Sequence, residues 1–193
     1  MPIDLISEHL NGLKVLKPKV FGDERGFFLE SYKESELKKY GISEKFLQDN
    51  HSSSTKDVLR GLHFQWDKPM GKLIRVTRGS ALVCEVDIRK DSPTYKQYFM
   101  IEISSKNFLM LWVPFGFANG FLTLEDNTEM QYKCTAEWNP KAESAIKWDD
   151  KSLNINWGIE KPILSGKDSF AESLNDWENK KESDLITFRK RNI

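Results

Sequence analysis

From residue 13 to residue 148 the chain is a succession of short runs rich in Val, Ile, Phe, Tyr and Thr, each soon broken by Gly, Pro, Asn, Asp or Ser. β-Branched and aromatic side chains suit a pleated, half-buried surface, and the breakers supply turns between strands. Candidate strands cover 13–20, 26–32, 45–53, 58–65, 72–78, 81–88, 95–103, 108–113, 117–123, 128–134 and 145–148. Helical insertions are few and short, which disfavours alternating β-α-β architecture and predicts a mainly β chain folded as a sandwich or barrel.

Residues 33–41 form one such insertion, with Leu37 and Tyr40 three apart and Gly41 where a helix would end. The tail carries Phe170, Leu174 and Trp177 among many charges, which predicts an amphipathic helix over 169–179 followed by a less regular end. No repeat or low-complexity linker divides the sequence, so a single domain is expected over 1–193, with this helical segment from about 169. A sheet of this size must hide its edges, and pairing with a second copy is the simpler route. The apolar run Phe27-Phe-Leu29 beside Arg25 suits either a subunit interface or a core strand.

Charge narrows the function. Lys plus Arg and Asp plus Glu balance at 29 each, so no global field favours nucleic acid or an anionic membrane, and an anionic ligand must be held by local geometry. No apolar run reaches the roughly 18 residues of a spanning helix, and the first ten residues do not resemble a signal peptide, so a cytoplasmic protein is expected. Cys84 and Cys134 lack the short spacing of a zinc site or redox pair and read as buried thiols.

The densest polar cluster is 48–65, which holds His51 and His63 of the three histidines, along with Gln48, Asn50, Arg60 and Gln65. In its second half, Leu62, Phe64 and Trp66 alternate with His63 and Gln65, directing the imidazole to the face opposite the apolar residues. A strand histidine can be a hydrogen-bonded core residue or a base. Arg60, Gln65, Lys72 and Arg75 on the same and following strands favour the second, because imidazole titrates near neutrality.

A base of this kind needs a carboxylate to set its tautomer. Asp168 follows a Pro/Ser/Gly loop that could bring it back over a barrel mouth, although it would equally suit the N-cap of the helix after it. In the run 128–134, alternation sends Tyr132 to the same face as Met130 and Cys134, where it could serve as a proton donor or as a satisfied core tyrosine. The histidines have no His-x-His spacing, and Asn119 stands in the late strand, so no catalytic metal is expected. A glycine-rich phosphate loop is missing too, which leaves phosphate recognition to Arg25, Arg60 and amides.

Asp23-Glu-Arg-Gly-Phe-Phe28, Asn50-His-Ser-Ser-Ser54, Leu59-Arg-Gly-Leu-His-Phe-Gln65, Val113-Pro-Phe-Gly-Phe-Ala-Asn-Gly-Phe121, Tyr132-Lys-Cys-Thr135, Ile146-Lys-Trp-Asp-Asp150 and Leu164-Ser-Gly-Lys-Asp168 occur in that order. Together the set resembles the dTDP-4-dehydrorhamnose 3,5-epimerase family from about residue 13 to residue 170. The resemblance implies a cupin-type β-sandwich or jelly roll that forms a homodimer. It also implies cofactor-independent epimerisation at C3, C5 or both of a nucleotide-diphospho-4-keto sugar, dTDP- or GDP-linked, hexose or heptose. By the same resemblance His63 is the base, Asp168 its partner, Lys72 the cation near the C4 oxygen and Tyr132 the opposed acid. Arg25, Phe28, Glu30, Gln48, Asn50, Arg60 and Trp138 match nucleotide and diphosphate contacts, some reaching in from the other subunit.

One departure stands out. Asn119 occupies a position where the family usually has histidine, and a neutral amide cannot change charge near pH 7. That points to an altered sugar or nucleotide, such as a GDP-linked 4-keto-heptose or another 4-keto-6-deoxyhexose. Alternatives on the same scaffold are C3-only epimerisation, a 3,4-ketoisomerase, or a non-catalytic sugar-nucleotide binding module.

Overall fold

The structure, a computed structural model, describes residues 1–188. Two antiparallel sheets dominate it, with strands numbered along the chain. The six-stranded sheet runs in the order β1 (Ile3–His9), β2 (Leu13–Pro18), β10 (Met110–Val113), β7 (Lys72–Arg78), β12 (Thr128–Cys134) and β5 (Gln48–Ser54). The five-stranded sheet runs β13 (Glu143–Ala145), β6 (Leu59–Gln65), β11 (Phe117–Thr123), β8 (Ser80–Asp87) and β9 (Tyr98–Ser104). A separate hairpin pairs β3 (Val20–Asp23) with β4 (Gly26–Leu29). The expected mainly β sandwich is what forms.

Three apolar layers hold this arrangement. Residues of period two from both sheets, including Val15, Ile74, Val76, Ala81, Val83, Phe117, Phe121 and Met130, make the layer between them. The opposite face of the five-stranded sheet buries Leu59, Leu62, Phe64, Val86 and Ala118 against Trp157, Leu174 and Trp177 from the C-terminal segment. Ile3, Leu16, Leu73 and Trp112 on the outer face of the six-stranded sheet are covered by Leu37 of α1 (Glu34–Lys38) and by Ile42. Cys84 and Cys134 are free and buried.

Several boundaries differ from expectation for identifiable reasons. A first strand, β1, precedes the expected start at residue 13; its bulge between Leu5 and Ser7 breaks the alternation that would have signalled it. The run 13–20 divides at Lys19, and the last strand is β13 rather than 145–148: Ile146 still exchanges hydrogen bonds with Leu62 of β6, and from Lys147 the chain pairs with Glu172 instead. The C-terminal helix expected over 169–179 is two helices, α2 (Gly166–Ser169) and α3 (Leu174–Glu178). Ser165 caps the first and Ser173 the second, the latter in a capping box with Asp176. Helices this short do not stand alone. Leu174 and Trp177 are 0% and 2% exposed, and burial worth about 1.5–3 kcal/mol per large side chain docks α3. The end of the expected tail, 189–193, lies outside the described residues.

Candidate active site

The site is an open cavity of about 240 Å³ between the sheets, lined by Gln48, Asn50 and Ser52 of β5, Arg60, His63 and Gln65 of β6, Lys72 of β7, Asn119 and Phe121 of β11 and Tyr132 of β12, with Met70, Trp138 and Glu143 also on its wall. Strand alternation accounts for most of this set, since every second residue of β5, β7, β11 and β12 faces inward.

β6 needs a further device. Leu59 packs outward with Leu62 and Phe64, yet Arg60 shares the cavity face with His63, three positions on. The register with β11 explains this: Asn119 pairs with His63 and Phe121 with Arg60, so β6 carries one extra residue over that interval. Gly61 sits at the irregularity with φ +124°, and a Cβ there would lie 2.6 Å from Gly120 Cα and 2.7 Å from the Asn119 carbonyl oxygen. Only glycine permits so close an approach of two backbones.

His63 Nε2 is 2.5 Å from Asp168 Oδ1. A carboxylate at Nε2 favours the tautomer with its proton there, which leaves Nδ1 as the basic nitrogen. Asp168 is only 3% exposed and well supplied with donors: the Gly61 N–H at 3.3 Å and the Ser165 hydroxyl at 2.6 Å. Burial alone would raise its pKa, but the hydrogen bonds from His63, Ser165 and Gly61 outweigh that and hold the carboxyl below its ordinary value. Asp168 does not cap the following helix; it sits within α2, capped by Ser165, and turns its side chain under β6.

At the other end, Lys72 Nζ donates to Asn119 Oδ1 at 3.2 Å and lies 5.7 Å from the centre of the Tyr132 ring. Asn119 Nδ2 in turn donates to Glu85 Oε1 at 2.5 Å. Burial pushes the Tyr132 phenol up, and Cys134 adds to that, while Asn50 and Arg60 oppose it. The phenol is therefore held in its protonated form. At the mouth, the Trp138 N–H donates to Gln48 Oε1 at 2.8 Å and its indole Nε1 donates to Glu143 Oε2 at 3.0 Å. Arg60 donates to Ser54 Oγ at 3.0 Å.

Not every expected residue joins this cavity. Arg75 faces the outer side of the six-stranded sheet, where it donates to Gln131 Oε1, so it cannot act beside His63. His51 points outward as well, 3.2 Å from Glu129. Gln65 does line the cavity, but its amide is taken up by loops, through the Lys68 and Glu137 carbonyls and the Asn139 N–H. Arg25 and Phe28 lie on the separate hairpin, Arg25 paired with Asp23 and Phe28 62% exposed, and Glu30 pairs with the Met1 amino group and Lys33. Ser52, Met70, Phe121 and Glu143 line the cavity although nothing in their local sequence marks them. Glu85 carries a signal in the sequence, a charge within the apolar run 81–88 and in phase with Val83. Among the described residues, no three His, Cys, Asp or Glu side chains gather as a metal-ligand set.

The family model for dTDP-4-dehydrorhamnose 3,5-epimerase matches residues 7–176. The chain belongs to that family. It is an isomerase, an epimerase acting on carbohydrates. A dTDP-4-dehydrorhamnose 3,5-epimerase from Salmonella typhimurium is 46% identical over 164 residues, covering 83% of this chain and 90% of the relative. Among solved structures, the family member from Bacillus anthracis with TDP and PPi bound superposes with a TM-score of 0.88 at 42% identity, covering 89% of this chain and 99% of that one. The Legionella pneumophila dTDP-6-deoxy-D-glucose-3,5-epimerase in complex with dTDP-4-keto-L-rhamnose gives 0.90 at 38% identity, covering 97% and 99%. No helix among the described residues is long and apolar enough to cross a membrane.

Proposed function

We propose that this epimerase inverts C3 and C5 of a dTDP-linked 4-keto-6-deoxy sugar. The observation that carries the reading is the convergence of His63, backed by Asp168, with Tyr132 and Lys72 on one cavity. Both carbons flank the C4 ketone, so loss of either hydrogen gives an enolate with its charge on the C4 oxygen. His63 Nδ1 takes that hydrogen, the Lys72 ammonium meets the oxygen, and Tyr132 delivers a proton to the opposite face. General acid and base groups supply about 10² to 10⁴ each, and an oxyanion donor about 2.7 to 4 kcal/mol, enough for the reaction to run on side chains alone.

The nucleotide follows from the solved relatives, which hold TDP or a dTDP-sugar. Gln48, Asn50, Arg60 and Trp138 line the mouth on its side of the cavity and serve the nucleotide and diphosphate. The hairpin supports a homodimer: Phe21, Phe27 and Phe28 are 46%, 64% and 62% exposed, an apolar surface suited to a second copy. In that assembly Arg25, Phe28 and Glu30 would reach a neighbouring cavity. Sedimentation is expected to give a dimer, and a monomer at micromolar concentration would remove that part of the reading.

Incubation with the dTDP-4-keto-6-deoxy sugar in D₂O, followed by NMR, is expected to show deuterium at C3 and C5 with inversion. His63→Ala should abolish exchange. Tyr132→Phe should keep exchange while losing inverted product. Exchange that survives in His63→Ala, or a ketone moved to C3, would overturn the reading. Asn119 favours a second reading of the substrate, a GDP-linked sugar, and titration with dTDP and GDP separates the two by which nucleotide binds more tightly.

A further inference from the structure

Glu85 is fully buried, 0% exposed, on β8 beside Asn119, which lines the cavity. One of its oxygens receives the Asn119 amide at 2.5 Å; the other, Oε2, has no hydrogen-bond partner among the described residues. A carboxylate withdrawn from water with half its acceptors unused is costly unless a countercharge stands near it. The nearest one is Lys72, joined to it through a single side chain: Lys72 Nζ donates to Asn119 Oδ1 at 3.2 Å, and Asn119 Nδ2 donates to Glu85. That amide orientation presents an acceptor to Lys72 and a donor to Glu85, as an ammonium and a carboxylate require. A neutral amide carries no charge of its own, so the charge balance of this end of the cavity falls to Glu85.

We propose that Glu85 is a positioning residue for the reaction: through the Asn119 amide its carboxylate anchors the Lys72 side chain and keeps it a cation facing the C4 oxygen of the substrate. This rests on the reading of Lys72 given above. The electrostatics agree. Burial lowers the proton affinity of Lys72, and Glu85 is the largest influence raising it again, followed by Cys134 and Glu143. Burial raises the pKa of Glu85, and Lys72 and then Asn119 pull it back down. Each charge is tenable there because of the other. The remaining groups that face Lys72 are Tyr132 on β12 and, across the cavity, His63 and Arg60 on β6 with Asp168 behind the imidazole.

The test is the pH profile of deuterium exchange, run in the Tyr132→Phe background so that the phenol adds no alkaline limb. Glu85→Gln is expected to move the alkaline limb down by about one pH unit or more, which is a loss of about tenfold near pH 8 that fades toward pH 6. Glu85→Gln combined with Asn119→Asp returns a carboxylate beside the ammonium and should restore the limb, a rescue that a merely structural role would not produce. If Glu85→Gln fails to fold, Glu85→Asp makes the same test, with a shift of the same sign and smaller size. An alkaline limb that stays in place, or a loss equal at every pH, overturns the proposal. Lys72→Met separates the two readings: exchange that survives it sinks the role of Lys72 itself, whereas exchange lost with Lys72→Met but unmoved by Glu85 substitution sinks only the role of Glu85.

Discussion

The two ends of the cavity each bury a carboxylate, and they treat it in opposite ways. Asp168, 3% exposed, receives the Gly61 N–H, the Ser165 hydroxyl and the His63 ring, and its pKa lies below the ordinary value. Glu85, 0% exposed, receives one amide proton, and its pKa lies above the ordinary value. Burial is common to both, so the number of donors decides the direction. At the His63 end the negative charge is secured by the fold itself and is available to hold a tautomer at any working pH. At the Lys72 end the carboxylate is tenable only beside the ammonium, so the two charges stand or fall together.

Asp168→Asn attacks the secured end and should have the larger effect. An amide there can present a donor to Nε2 and reverse the tautomer, so kcat should fall about 10³-fold with the fold retained, read from steady-state rates beside a circular dichroism spectrum. A loss under tenfold would mean the imidazole needs no anion and would erase the contrast.

The same variant sharpens the comparison in acid. Because the folded pKa of Asp168 is depressed, its contribution to stability is present above the unfolded value near 3.8 and disappears as pH falls through the lower folded value. Thermal unfolding followed from pH 5 downward should therefore show a shallower pH dependence in Asp168→Asn than in the parent. Identical slopes would show that the carboxyl is not held low. The smallest effect is expected from Ser165→Ala, which removes one donor to Asp168 and the N-cap of α2 while leaving His63 and Gly61 in place. It should cost about 1 kcal/mol in denaturant unfolding and reduce kcat only severalfold. A loss as large as that of Asp168→Asn would mean that Ser165 is essential to the dyad.

Much of this could be read locally. The strands at 72–78, 117–123 and 128–134 form where expected, and alternation correctly turned Tyr132, Met130 and Cys134 to one face. What local reading could not supply is phase across an irregularity. Strict alternation back from His63 would turn Arg60 away, and the extra residue at Gly61 brings it to the same face. Arg75 shows the converse: proximity in sequence to the site and a suitable charge, but odd phase relative to Lys72 on a regular strand, which sends it to the outer surface. The split of the C-terminal helix shows two serines each capping a short helix through the residue three positions on, with Leu174 and Trp177 docked against the five-stranded sheet.

By itself the sequence determined the β character, the family, and the candidate groups for moving a proton, because residue type and period-two spacing are local properties of the chain. Tertiary structure alone decided that Asp168 is brought beside His63 from the far end of the chain and that Glu85 lies beneath Asn119 and Lys72. The physical reason is that ionisation and orientation are set by burial and by the count of donors within hydrogen-bond reach, and neither exists until the two sheets have packed.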